Sequence, residues 1–212
     1  MRTMTATIDH LVYACPDLTA AVDEIARLTG VRPEYGGQHP GLGTHNALLS
    51  LGDRTYLEII APDPAQPGSG SLPFGLEELT APALRAWAAT PEDIDNAARA
   101  ARAEGFDYGD VVTRHRRTLG DGELSWRMTN YAHNGAVAVI PFLIDWGHSR
   151  HPAQTAPSGL RLSEFRILAP DPDKVARQLH AASIDLPVDR AATPALRAVL
   201  TGPSDVRIVL TS

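Results

Sequence analysis

The chain has 212 residues, of which 43% are apolar and 21% charged, and this composition is typical of a globular protein that can bury a good core. Its formal net charge of −6 argues against a general nucleic-acid-binding protein. No apolar run approaches the roughly 20 residues of a membrane-spanning helix, and no signal-peptide core precedes the first strand. The single cysteine, Cys15, excludes an internal disulfide and fits a reducing cytoplasm. Together these features lead us to expect a cytoplasmic protein that binds neither membrane nor nucleic acid.

The first predicted unit covers residues 7–62. It opens with the strand-like run IDHLVYA, after which Asp17 is suited to begin a helix and Gly30 to end it. Three strand-like pieces follow, VRPEY, THNALLSLG and RTYLEIIAP, which gives the order βαβββ. The stretch GGQHPGLGTHN, residues 36–46, is predicted to be a loop from its glycine and proline content.

Two further segments repeat this order. In residues 74–147, the strand ALRAWAA precedes a helix that begins near Asp93, and three strands are read in YGDVVTRHRR, ELSWRMTN and VAVIPFLIDW. In residues 159–212, the strand LRLSEFRILA precedes a helix that begins at Asp171 and Pro172, followed by DLPVD, ALRAVLTG and DVRIVLTS. Proline-rich linkers at 61–73 and 147–159 separate the units. The alternative is a single α+β domain without a repeat.

These features resemble the vicinal oxygen chelate superfamily and, more narrowly, its glyoxalase-like proteins. The resemblance rests on IDHLVYACPDLTAAVDEI, on HPGLGTHNALLSLGDRTYLEIIAPDP and on VIPFLIDWG. It implies an α+β fold of repeated βαβββ modules, similar to glyoxalase and bleomycin-resistance proteins, with curved mixed sheets around a cavity and helices outside. The third unit is an odd module whose strand edges need a cover, so we also expect a homodimer.

The resemblance implies metal ligands on the first and last strands of each module, which are His10 and Glu58 in the first. Strand alternation supports this pair independently, because His10 lies on the same face as Ile8 and Val12, and Glu58 on the same face as Tyr56. An imidazole and a carboxylate in one cavity suit a divalent metal ion. Without a metal, Glu58 would be suited to act as a general base, and His10 would be suited to line the cavity and form a hydrogen bond.

The other modules do not supply the family's usual four ligands. In the second module the first strand offers Ala86 or Trp87, which cannot bind metal, and the closing strand offers Asp145. In the third module Glu164 takes the place that corresponds to His10. A metal site would therefore contain His10 and Glu58 with either Asp145 or Glu164.

Five more residues are substrate-binding candidates. His39, His45 and Asn46 belong to the glycine-rich stretch, which is suited to lie over a cavity mouth. Trp126 and Arg127 alternate on a strand that would form the floor of the second half of the cavity, where an inward-facing arginine could hold an acidic substrate.

Three other features receive structural interpretations. The basic run RHRR, residues 114–117, is typical of a solvated edge strand. The stretch GHSRHP, which contains His148 and His151, reads as flexible linker. Cys15 has no histidine nearby in the sequence, so a nucleophilic role is not expected.

Two functions fit this sequence. The first is an enzyme that acts on a small organic molecule. It would be a glyoxalase-like lyase or isomerase that works through an enolate or oxyanion with Glu58 as base or metal ligand, or a dioxygenase-like enzyme. The second is a metal-free protein that binds or sequesters a small molecule. The sequence does not identify the substrate.

Overall fold

A computed structural model describes residues 6–66, 70–117, 123–130, 137–203 and 206–212. It contains three helices among its strands, and each helix begins at an aspartate whose side chain accepts a hydrogen bond from a backbone N–H three residues on. These caps are Asp17, Asp93 and Asp171, as predicted, and the left-handed Gly30 (φ 73°) ends the first helix. The helices are α1 (Leu18–Thr29), α2 (Ile94–Ala103) and α3 (Pro172–Ala181). No helix in the described ranges is long and apolar enough to cross a membrane.

The strands form two sheets, which gives the α+β class expected from the sequence. The strands before residue 150 are β1 (Thr7–Ala14), β2 (Glu34–His39), β3 (Thr44–Gly52), β4 (Thr55–Pro62), β5 (Ala83–Thr90), β6 (Val111–Arg117), β7 (Glu123–Thr129) and β8 (Phe142–Asp145). They lie in one curved sheet in the order β2-β3-β4-β1-β5-β8-β7-β6. β1 joins the two halves, because it pairs with β4 in parallel and with β5 antiparallel.

The remaining strands, β9 (Arg161–Ala169), β10 (Val188–Arg190), β11 (Ala195–Thr201) and β12 (Arg207–Thr211), form a second sheet in the order β10-β9-β11-β12. Here β9 pairs with β10 and β11, whereas β1 pairs within its own unit with the closing strand β4. The third unit thus repeats the order of elements along the chain but not the strand pairing. The expected equivalence of Glu164 and His10 is therefore wrong.

The two faces of the large sheet have different roles. One face packs against α1, α2 and the second sheet in a single apolar core, where the Trp87 ring meets the Phe165 ring at 5.2 Å between centroids. The other face carries a second apolar cluster, which includes Tyr56, Phe142 and Trp146. This face is concave and bears the cavity described below.

Two predicted boundaries were wrong. Residues 36–39 of the expected loop lie in β2, because pairing with β3 overrides their glycine content and a bulge absorbs the irregularity near Gly37. Residues 44–46 lie in β3, as the predicted strand THNALLSLG has it. Only residues 40–43 connect the strands. The expected strand at 137–146 is confined to Phe142–Asp145, and Pro141, which has no N–H to donate, immediately precedes it.

Candidate functional site

A cavity of about 460 Å³ opens on the concave face of the large sheet. This volume lies within the usual range for small-molecule sites. The lining residues come from both halves of the sheet and from the segment that precedes β5. They include His10, His39, Asn46, Tyr56, Glu58, Phe74, Leu124, Trp126, Met128, Phe142, Ile144 and Trp146.

His10 and Glu58 face each other at the base of this cavity. His10 Nε2 lies 3.7 Å from Glu58 Oε2, and the two side chains are 3% and 12% exposed. The His10 ring stacks on Tyr56, with 4.5 Å between ring centroids, and its edge meets Phe142. Alternation with Val12 on β1 and with Tyr56 on β4 places both residues at one site, with a gap between them wider than a hydrogen bond. Ile8, which was expected on the same face, packs on the opposite side of the sheet.

Asp9 holds His10 from behind. A bulge in β1 lies between Ile8 and His10, so alternation is interrupted and the Asp9 carboxylate reaches the imidazole of its neighbour. His10 Nδ1 lies 2.7 Å from Asp9 Oδ1. Since an ionised carboxylate only accepts, Nδ1 donates and Nε2 is the atom presented to the cavity.

Asp9 is 1% exposed and is held by four side chains. Besides His10, its carboxylate accepts hydrogen bonds from Thr90 Oγ1 (2.6 Å), Trp146 Nε1 (3.0 Å) and His151 Nε2 (3.1 Å). Burial alone raises the pKa of Asp9, but the hydrogen bonds from His10, His151 and Thr90 outweigh it and hold that pKa well below its usual value. Asp9 is therefore an ionised anchor at neutral pH.

His151 was missed as a site residue, and its assignment to a flexible linker is wrong. It is 6% exposed and precedes a short 3-10 turn, Pro152–Gln154, whose Ala153 N–H donates to His151 Nδ1. His151 is therefore a neutral ring with its proton on Nε2, directed at Asp9. Because 142 residues separate His151 from Asp9, no local pattern in the sequence indicates this contact.

A polar network holds Glu58 on its other side. Asn46 Nδ2 donates to Glu58 Oε1 at 2.6 Å and also lies 3.3 Å from His39 Nε2. His39 Nδ1 lies 2.9 Å from Thr44 Oγ1. Two of the predicted substrate-binding residues, His39 and Asn46, therefore line the cavity and fix the position of Glu58.

The two other polar substrate-binding candidates do not reach this cavity. His45 follows Thr44 and precedes Asn46 on β3, so alternation turns its ring to the opposite face, beside Tyr35. Arg127 is on the outer face for the same reason, because Trp126 lines the cavity, and its guanidinium donates to Asp95 at 2.6 Å. The expectation that these two residues bind substrate in this cavity is therefore not met.

The two alternatives for a third metal ligand, Asp145 and Glu164, lie elsewhere as well. Asp145 is opposite Arg127 in the β7–β8 pair and accepts a hydrogen bond from the Gly147 N–H. Glu164 is on the second sheet, where Arg166 and Arg197 contact one carboxylate oxygen at 3.0 and 2.8 Å. Neither residue belongs to the cavity lining with His10 and Glu58.

The donor set does not fit the four-ligand metal site that the superfamily resemblance implies. On the cavity side, β5 and β8 present Ala86, Ala88, Phe142 and Ile144, none of which can coordinate a metal ion. In the first half, Glu58 Oε1 is already bonded to Asn46, which leaves His10 Nε2 and Glu58 Oε2 as the facing pair. Across the ranges that the structure describes, no three His, Cys, Asp or Glu side chains are grouped as a metal site, and a catalytic site requires at least three.

The remaining predicted features are Trp126, the basic edge strand and Cys15. Trp126 lines the cavity, and the edge strand β6 contributes Arg114 and His115 to its rim. Cys15 is fully buried on the opposite face, and its thiol contacts the Ile60 carbonyl at 3.4 Å. Burial raises the pKa of Cys15 to about 12, which keeps the thiol protonated at neutral pH.

The fold of this chain is similar to that of solved structures. A hypothetical protein from Staphylococcus aureus superimposes with a TM-score of 0.61 at 16% identity, covering 96% of this chain and 85% of that one. At that identity the similarity shows a shared fold. Weaker similarities, with TM-scores of 0.44 and 0.43 at 18% identity, are to methylmalonyl-CoA epimerase from Mycobacterium tuberculosis (69% of this chain, 92% of that one) and to a methylmalonyl-CoA epimerase bound to methylmalonyl-CoA and NH4+ (70% and 100%).

No curated protein matches the chain in sequence. The family described as "Glyoxalase-like domain", by contrast, matches residues 8–183, which cover β1 through α3. The chain therefore belongs to the glyoxalase-like domain family and has the fold of the vicinal oxygen chelate superfamily.

Proposed function

We propose that the protein is a metal-independent acid–base enzyme that moves a proton next to a carbonyl group in a small organic substrate. The observation that carries this proposal is the facing pair of His10 Nε2 and Glu58 Oε2, 3.7 Å apart at the base of a cavity. Each member is fixed by a partner behind it, His10 by Asp9 and Glu58 by Asn46. Such preorganisation is what general acid–base catalysis requires.

The chemistry is a reversible enolisation. The ionised Glu58 Oε2 takes a proton from the carbon beside the carbonyl, and the electron pair of the broken C–H bond forms the enolate C=C bond. A proton on His10 Nε2 forms a hydrogen bond to the enolate oxygen, which carries the developing negative charge, while Nδ1 keeps its hydrogen bond to Asp9. Return of a proton from Glu58 to the α-carbon re-forms the carbonyl group, and exchange of the Glu58 proton with solvent before that return labels the α-carbon.

Solvent deuterium exchange tests the proposal without knowledge of the natural substrate. In D2O the enzyme should incorporate deuterium at the α-carbon of small ketones, detected by NMR or mass spectrometry. The isosteric substitution Glu58→Gln keeps the acceptor for Asn46 but removes the base, so exchange should fall at least about 100-fold. Glu92→Gln, at an exposed position, is the matched control and should exchange as the wild type does.

A second function, ligand binding without chemistry, is favoured by the strongly apolar second half of the cavity, where Trp126, Met128 and Phe142 lie. Ligands that bind without α-deuterium exchange, and whose affinity is unchanged in Glu58→Gln, would overturn the enzymatic proposal and support a sequestering protein.

A further inference from the structure

The cavity lining has a polar side, which also contains Leu48 and Ile60, and an apolar side, beyond which Arg114 and His115 of β6 lie at the rim. The polar side comes from β1 to β4 and includes His10, Asn46 and Glu58. The apolar side comes from β7, β8 and the residue after β8, and we define the aromatic wall as Trp126, Met128, Phe142 and Trp146. A ligand that fills the cavity must therefore be polar at one end and apolar at the other.

The aromatic wall offers ring faces and no free indole donor. Trp126 Nε1 is directed at the Met128 sulfur, 3.4 Å away in the same wall. Trp146 Nε1 donates to the buried Asp9 carboxylate. Because both indole N–H groups have partners inside the protein, this side selects for shape and apolar surface.

The rings of the wall continue to the catalytic pair. Trp126 and Trp146 lie 5.5 Å apart between ring centroids, Trp146 and Tyr56 6.5 Å, and Tyr56 stacks on His10 at 4.5 Å. Offset or edge-on packing at such separations is favourable between aromatic rings and adds to the effect of apolar burial. An aromatic group on the ligand can therefore pack against the wall while its polar end reaches His10.

The charge at the polar end excludes a carboxylate there. Glu58 lines the base of the cavity, and the ionised Asp9 lies directly behind His10. With a proton on both ring nitrogens, as the proposed reaction requires, His10 is one cation against two carboxylates, so this end of the cavity keeps a net negative charge. A ligand anion placed beside Glu58 would meet a like charge in a largely desolvated site. A neutral carbonyl oxygen can instead accept a hydrogen bond from His10 Nε2.

We propose that the substrates of this site are neutral ketones or aldehydes that carry an aromatic ring close to a carbonyl group whose α-carbon bears a C–H bond. This inference rests on the proposed function, whose catalytic pair it uses, and adds the class of substrate. The ring packs on the aromatic wall, and the carbonyl group lies between His10 and Glu58.

Calorimetric titration with three matched probes tests the proposal. Phenylacetone carries both features, cyclohexylacetone lacks the aromatic ring, and phenylacetate replaces the neutral ketone with an anion. We expect phenylacetone to bind at least about fivefold more tightly than cyclohexylacetone and at least about tenfold more tightly than phenylacetate. Equal affinities, no saturable binding of phenylacetone, or a preference for phenylacetate through Arg114 at the rim would each overturn the proposal.

Substitutions in the aromatic wall test whether its rings cause the preference for phenylacetone. Trp126→Leu should abolish the preference for phenylacetone over cyclohexylacetone, whereas Trp126→Phe, which keeps an aromatic ring, should retain that preference. Arg127→Leu is the control on the outer face of the same strand and should leave all three affinities unchanged. Thermal unfolding of each variant verifies folding, and loss of the aromatic preference in Arg127→Leu with retention in folded Trp126→Leu would overturn the proposal.

The two proposals fail separately. Equal affinity for phenylacetone and cyclohexylacetone, with enzyme-dependent deuterium exchange into both, would refute the aromatic class and leave the proton-transfer function intact. Preferential binding of phenylacetone without enzyme-dependent exchange would refute the function and leave the ligand class.

Discussion

The Asp9 carboxylate shows how much one buried residue can organise. It contacts His10, Thr90, Trp146 and His151, which belong to β1, β5 and the segment that follows β8. A buried carboxylate is stabilising only when it is fully hydrogen-bonded, and removal of its charge leaves the surrounding donors with a weaker acceptor. Asp9, which lies behind His10, therefore also contributes to the stability of the sheet.

We expect Asp9→Asn to destabilise the protein by about 1–3 kcal/mol at neutral pH. Because the pKa of Asp9 is lower in the folded than in the unfolded chain, its contribution is present above the unfolded pKa of about 4 and declines as the pH falls below that value. Urea unfolding of both proteins between pH 3 and 8 should show a difference that is constant above about pH 5 and smaller at pH 3. Asp53→Asn, at an exposed turn, should show no such trend.

Cys15 gives a second test at a single residue. Since burial raises the pKa of its thiol to about 12, native protein at pH 8 should react with iodoacetamide much more slowly than protein unfolded in urea. Mass spectrometry of the alkylated chain measures both rates. Comparable rates in the two states would contradict the burial of this side chain.

Among the elements, the segment after β8 is the one whose role changed most between sequence and structure. Its proline and glycine content is typical of a linker, yet His151 closes the hydrogen-bond network around Asp9 and caps the turn Pro152–Gln154. Through these contacts, the segment that leads to the third unit is held against the base of the cavity.

His151→Ala should therefore lower both stability and catalysis. It removes a buried donor to Asp9 and the acceptor for the Ala153 N–H, so we expect a loss of about 1–3 kcal/mol and at least about a tenfold fall in deuterium exchange through misplacement of His10. His148→Ala is the matched control, since His148 lies three residues earlier and is exposed. Denaturant unfolding and the exchange assay should separate the two variants, and identical behaviour would show that the network does not position His10.

On the scale of the whole molecule, the second sheet shares the core of the first. Trp87 from β5 packs on Phe165 from β9, and Tyr108 donates its hydroxyl to the Gln178 carbonyl in α3. Apolar side chains of both sheets form one continuous buried cluster. Units that share a core are expected to unfold together.

Phe165→Ala should thus destabilise the entire chain, by about 2–3 kcal/mol, and not the third unit alone. Far-UV circular dichroism and tryptophan fluorescence should give one coincident urea transition in both wild type and variant. Val209→Ala, at an exposed position of the same sheet, is the control and should have little effect. Two separated transitions would show that the third unit folds independently.

The expected homodimer stays a prediction. The edge strands of the two sheets are β2, β6, β10 and β12, and exposed edges are surfaces on which a second copy can pair. Light scattering after gel filtration should give the mass of two chains, and the mass of one chain would contradict the prediction.

The sequence alone determined the features that depend on local chemistry. Aspartate caps located the starts of the three helices. Period-two alternation placed His10 and Glu58 at one cavity although they lie on different strands, β1 and β4. Only the tertiary structure decided which strands pair, where the β1 bulge turns Asp9 toward His10, and that His151 and Trp146 converge on that carboxylate. These contacts join residues 137 and 142 positions apart, and their geometry depends on sheet register and packing, which no local pattern specifies. The same reason explains the third unit, whose helix and strands follow local rules while its strand order is set by the core that it covers.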